Sequence, residues 1–150
     1  MRSLVIIVVV VSAAGLLAGS CSSGRGPSAT VEDLVKAARA GDLDAFLRCC
    51  DLRTLYEQVV PESQRENLPF EQFAGDVRRN LEGRLQPNAA LEYEILDVEP
   101  HGSEAAVQIR LRAGRDAEWT TWKLPLVRVG GTWKVTGRGI EPFAPGSGPS

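Results

Sequence analysis

The chain has 150 residues, 43% of them hydrophobic and 24% charged, with a formal net charge of −2. This suits one small globular domain plus its terminal segments and excludes a pair of full-sized domains. Lys and Arg are scattered without a block of like charge, so there is no electrostatic footprint for nucleic acid. Three cysteines are too few for a disulfide scaffold and lack zinc-site spacing, and His101 is the one histidine, so neither metal nor cofactor is expected.

The amino terminus reads as a targeting segment. Arg2 precedes an apolar run from Leu4 to Leu17, about 14 residues, short of the roughly 20 that a spanning helix needs. Small residues follow at Ala18, Gly19 and Ser20, which lets a peptidase accept an extended backbone and cut before Cys21. The stretch Leu17 to Cys21 resembles the lipobox of bacterial lipoproteins, with Ala18 where leucine is the commonest choice. The resemblance implies that Cys21 becomes the lipidated first residue of the mature chain, anchored to a membrane outside the cytoplasm. Ordinary secretion uses the same small-residue pattern and stays open as the alternative. Two or more acyl chains hold a protein stably on a bilayer at about 0.8 kcal/mol per buried CH₂. The segment 21–29 is then a flexible linker with a reach of roughly 15 Å.

Past the linker, Thr30 and Asp33 have capping-box spacing, and Val31, Leu34, Val35 and Ala38 fall on one helical face up to Gly41, a left-handed stop. Asp42 is placed to cap a second helix carrying Leu43, Phe46, Leu47 and Cys50, which continues through Leu52, Leu55, Tyr56 and Val59 to Pro61. A third helix runs from Phe70 through Phe73, Ala74, Val77 and Leu81 to Leu85, between Pro69 and Pro87.

From Leu91 the period becomes two. Leu91, Tyr93 and Ile95 alternate with glutamates, then Leu96 and Val98 shift the parity, which predicts a β-bulge near Ile95. In the second strand Ala105, Val107, Ile109 and Leu111 face inward, and Gln108, Arg110 and Arg112 outward. A third strand spans 119–129, and Gly130-Gly131 returns the chain into a fourth, "TWKVTG". The expected fold class is α+β, three amphipathic helices on one face of an antiparallel sheet of about four strands, with the domain at 30–139 and a disordered tail at 140–150.

Two motifs carry a further resemblance. "AARAGDLDAFL" at 37–47 looks like the helix-Gly-Asp-helix junction of the nuclear transport factor 2-like superfamily, and "LPLVRVGGTWKV" at 124–135 looks like its closing hairpin. The resemblance implies a cone in which helices and a strongly curved sheet enclose a pocket. The superfamily includes dehydratases, isomerases, transport factors and many lipoproteins of unassigned role.

Candidate chemistry is sparse. Asp51 and Asp97 adjoin apolar faces and Tyr56 could donate into a pocket, so these three would serve a proton-transfer enzyme of dehydratase or isomerase type. A helix cap, a strand-edge position and a packed ring with a satisfied hydroxyl explain the same residues structurally. His101 falls at a hairpin tip and reads as surface. Trp119 and Trp122 are three apart on a strand and point to opposite faces; Tyr56 and Trp122 are the candidates for a ligand wall, and Trp133 reads as core. Cys50 belongs to the apolar stripe as a small hydrophobe and Cys49 lies one step off it, with a redox pair as the minor alternative. The leading expectation is a lipid-anchored, non-catalytic domain that binds a small apolar ligand or an envelope protein. The pocket enzyme is the rival.

Overall fold

The computed structural model describes residues 25–143. The expected signal segment 1–20, Cys21 and the residues from 144 onward lie outside the described residues. No helix among those described is long and apolar enough to cross a membrane.

Helix α1, Pro27–Ala40, buries Val31, Leu34, Val35, Ala37 and Ala38. It begins one turn earlier than the capping-box reading places it, because Pro27 sits in the first turn, where a fixed φ and a missing N–H cost nothing. Thr30 is therefore inside the helix on its buried face. Its hydroxyl donates to the Trp133 carbonyl at 3.1 Å instead of capping. Gly41 ends the helix with φ 65°, as expected, and Asp42 N–H donates back to the Ala37 carbonyl at 3.0 Å.

The expected long second helix is broken in two, α2 at Leu43–Arg48 and α3 at Leu52–Val59. Apolar periodicity runs through the break, but the backbone there is claimed by the sheet. Val135 N–H donates to the Cys49 carbonyl at 2.7 Å, and Asp51 N–H donates to the Val135 carbonyl at 2.8 Å. Each piece has its own aspartate cap, Asp42 accepting from Ala45 N–H and Asp51 from Thr54 N–H. A 3-10 turn at Glu62–Gln64 leads to α4, Phe70–Glu82, which stops short of Leu85.

Four strands follow, β1 at Glu92–His101, β2 at Glu104–Arg112, β3 at Thr120–Val129 and β4 at Thr132–Val135, in the order β1-β2-β3-β4 with every pairing antiparallel. The register of β1 on β2 jumps between Ile95 and Asp97, so Leu96 is the extra residue of the bulge that the parity shift predicts. Gly130 and Gly131, both at positive φ, make the tight β3–β4 turn. Ala105, Val107, Ile109 and Leu111 line the inner face of β2, and Leu124 and Leu126 continue it on β3. The outer face carries cross-strand ion pairs, Glu92 with Arg112, Glu94 with Arg110 and Glu99 with Lys123.

The packed domain reaches beyond 139. A 3-10 segment, Gly137–Phe143, folds back over β3, and Phe143 meets Phe46 edge-on with ring centroids 5.8 Å apart. Residues 140–143, expected to begin a disordered tail, thus belong to the packed domain, because Ile140 and Phe143 supply apolar surface that the core takes up.

Candidate functional site

The interior between α1 and the sheet is occupied. Phe46, Leu34, Ile109, Leu124, Val31, Val35, Val107 and Val135 are fully buried, and Trp133 packs among them. Each such side chain contributes about 1.5–3 kcal/mol by leaving water, so a ligand could enter only by displacing them. None of the three clefts described is lined by Phe46, Ile109, Leu124 or Trp133. Among the described residues, packed side chains take the place of the enclosed pocket that the family resemblance implies.

The candidate acids and the phenol are dispersed. Asp51 caps α3, its carboxylate taking both the N–H and the hydroxyl of Thr54. Asp97 is exposed on β1 and accepts from Val98 N–H. Tyr56 is buried, but away from the main core, between Phe70 and Phe73 with centroids at 5.6 and 5.3 Å. Its hydroxyl donates to the Leu68 carbonyl at 2.8 Å. None of these three residues lines a described cleft, and neither does Trp122, which is half-buried against the core. His101 is exposed, as its turn position predicts. Trp119 emerges on the opposite face from Trp122, 37% exposed, with the guanidiniums of Arg110 and Arg112 each 4.6 Å from its ring centroid. Cys49 is as buried as Cys50, a correction to its off-stripe placement: α2 ends at Arg48, and the following turn swings Cys49 inward.

The site that the sequence does not reveal lies where the link 83–91 passes between the C-terminal end of α1 and the 3-10 segment. A half-open cleft of about 460 Å³ is floored by Ala38, Leu85, Leu91 and Phe143 and rimmed by Arg84, Gln86 and Asn88. Its size falls within the 300–1,000 Å³ usual for small-molecule sites. The wall is built by backbone ties. Asn88 N–H donates to the Arg39 carbonyl at 2.9 Å, Arg39 Nε to the Leu91 carbonyl at 2.7 Å, and Asn88 Nδ2 to the Ala113 carbonyl at 3.1 Å. Gly41 closes the corner: a Cβ there would stand 2.7 Å from Pro87 Cγ. Two smaller clefts, of about 260 and 360 Å³, lie between α1 and α2 and beside the β1–β2 hairpin.

An α+β domain with helices first and a four-stranded antiparallel meander behind them is the class that this geometry defines. Among solved structures, the chain is similar to an NTF2-like protein of Campylobacter jejuni provisionally named a transpeptidase, at 13% identity and a TM-score of 0.53, over 75% of this chain and 99% of that one. The fold is accordingly NTF2-like. Weaker likenesses, on which nothing rests, are to a SEC-C motif-containing protein of Rhodopseudomonas palustris, 18% identical over 79% of each chain with a TM-score of 0.47, and to an NTF2-like protein of unknown function from Shewanella baltica, 12% identical over 71% of this chain and 83% of that one with a TM-score of 0.46. No family model and no curated protein matches the sequence.

Proposed function

We propose that the protein is a lipid-anchored extracytoplasmic binding domain, held to a bacterial membrane through Cys21, which takes a small apolar ligand in the cleft at the 83–91 link and performs no chemistry on it. The observation that carries the binding part is the composition of that cleft, an apolar floor with three polar residues on its rim. Against the dehydratase or isomerase reading stands the dispersal of its candidates. A general base needs a tuned pKa and a substrate within hydrogen-bond reach, and Asp51, Asp97 and Tyr56 share no described cleft. The anchor rests on the sequence at Leu17 to Cys21.

Two measurements test the parts separately. Intact-mass analysis of the mature chain is expected to show acyl mass on Cys21, and Cys21→Ala should lose it together with membrane retention; a normally processed Cys21→Ala chain and an unacylated wild type would defeat the anchor. Native mass spectrometry of the chain purified from its own cells is expected to find a co-purifying apolar molecule, released on denaturation without chemical change. Turnover of that molecule would defeat the non-catalytic reading.

A further inference from the structure

The cleft at the 83–91 link carries one cation and, among the described residues, no acid. Among the lining residues whose side chains are described, Arg84 is the cation and there is neither Asp nor Glu. The other two clefts differ in this respect: Asp33 and Asp42 lie with Lys36 and Arg48 in one, and Glu104 lines the other. Among the described residues, some cations are neutralised by carboxylates, as Arg25 is by Asp33, Arg78 by Asp44 and Lys123 by Glu99, and others, Arg84 among them, are not. Arg84 has no carboxylate within ion-pair distance among the described residues.

The remaining polar groups of the wall are largely engaged. The Leu91 carbonyl accepts from Arg39 Nε, Asn88 Nδ2 donates to the Ala113 carbonyl, and Asn88 Oδ1 accepts from Ala90 N–H. Arg84 and Gln86 are left at the rim to meet a polar head, above a floor that suits hydrocarbon. A guanidinium is the side chain best matched to a carboxylate, through two parallel N–H donors.

We propose that the cleft binds a free fatty acid, with the acyl chain along Leu85, Leu91 and Phe143 and the carboxylate on Arg84. This rests on the cleft being the binding site, and the test separates the two claims. The full chain, in its own membranes, is exposed to a twelve-carbon fatty acid bearing a terminal diazirine and, in parallel, to the corresponding neutral alcohol; labelled residues are then mapped by mass spectrometry. The acid is expected to label the segments around 84–91 and 142–143. Arg84→Gln should cut that labelling about tenfold, the range for a charge-assisted hydrogen bond, while Arg84→Lys, which keeps the charge but loses the paired donors, should fall between the two, and the weaker labelling by the alcohol is unchanged in both variants. Excess dodecanoate should displace the acid probe; displacement by lysophosphatidylglycerol alone would overturn the free-acid assignment in favour of a lipid headgroup. Equal labelling of the cleft by acid and alcohol, indifferent to Arg84→Gln, would overturn the fatty-acid proposal and leave the cleft as an apolar site. Labelling confined to other segments would overturn both.

Discussion

The interior behind α1 and the cleft at the 83–91 link draw on the same apolar residue types but end in opposite states. In the interior, side chains from α1, α2, β2, β3 and β4 interdigitate and leave no described cleft among them. At the link, Ala38 arrives from α1, Leu85 and Leu91 from the link itself and Phe143 from the 3-10 segment, the link is tied to α1 through Arg39, and the space between them stays open. The difference teaches that an NTF2-like fold does not by itself supply a central pocket. Whether the interior is hollow depends on what its inward positions carry, and here Phe46 and Trp133 fill it.

The strongest challenge to this contrast is Phe46→Ala, which removes a fully buried ring touching Phe143. Chemical denaturation should show a loss of about 3–5 kcal/mol; a loss under about 1 kcal/mol would mean that the interior is loosely packed and able to admit a ligand. Next is Thr30→Val, which keeps the shape but strips the Trp133 carbonyl of its side-chain donor inside the core. It should cost about 1–3 kcal/mol by the same assay.

Asp51→Ala sharpens the comparison from the side of the rejected catalytic group. As the cap of α3 it should lose about 1 kcal/mol of stability, whereas Asp97→Asn, at an exposed position, should stay within about 0.5 kcal/mol. The smallest effect is electrostatic. The Lys123 ammonium hydrogen-bonded to Glu99 holds its carboxyl below the usual carboxylate range. A depressed folded-state value means that the pair's contribution is present above the unfolded carboxylate's titration and is lost as pH falls through the folded one. Both groups are exposed, so the pair adds little to stability. NMR titration should nonetheless show the Glu99 carboxyl moving upward in Lys123→Met.

The sequence was most legible where one segment determines its own geometry. Gly41 as a left-handed stop, Asp42 as a cap and the Leu96 bulge all follow from spacing within a few residues. The break between α2 and α3 was hidden because its cause lies far along the chain: Val135 takes the Cys49 carbonyl and the Asp51 N–H, while the apolar stripe from Phe46 to Tyr56 reads as continuous. The fold of the end of the chain was hidden for a similar reason. Pro and Gly around Phe143 look like a linker until Phe46 gives that ring something to pack on.

The cleft was the least legible feature. Leu85 and Leu91 read as the last turn of a helix and the first position of a strand, and only the ties from Arg39 and Asn88 turn the link between them into a wall. Arg84 gives no signal in a sequence with scattered basic residues. Its meaning comes from its place on the rim of the cleft above an apolar floor, which is a property of the fold.

Hydrogen exchange of the full chain with and without dodecanoate tests the central claim most directly. The account predicts new protection confined to the link around 84–91 and to the end of the 3-10 segment near Phe143, with β2 and β4 unchanged. Protection gained instead on the inner strands, at Val107, Ile109 or Trp133, would place the ligand in the interior behind α1 and contradict it.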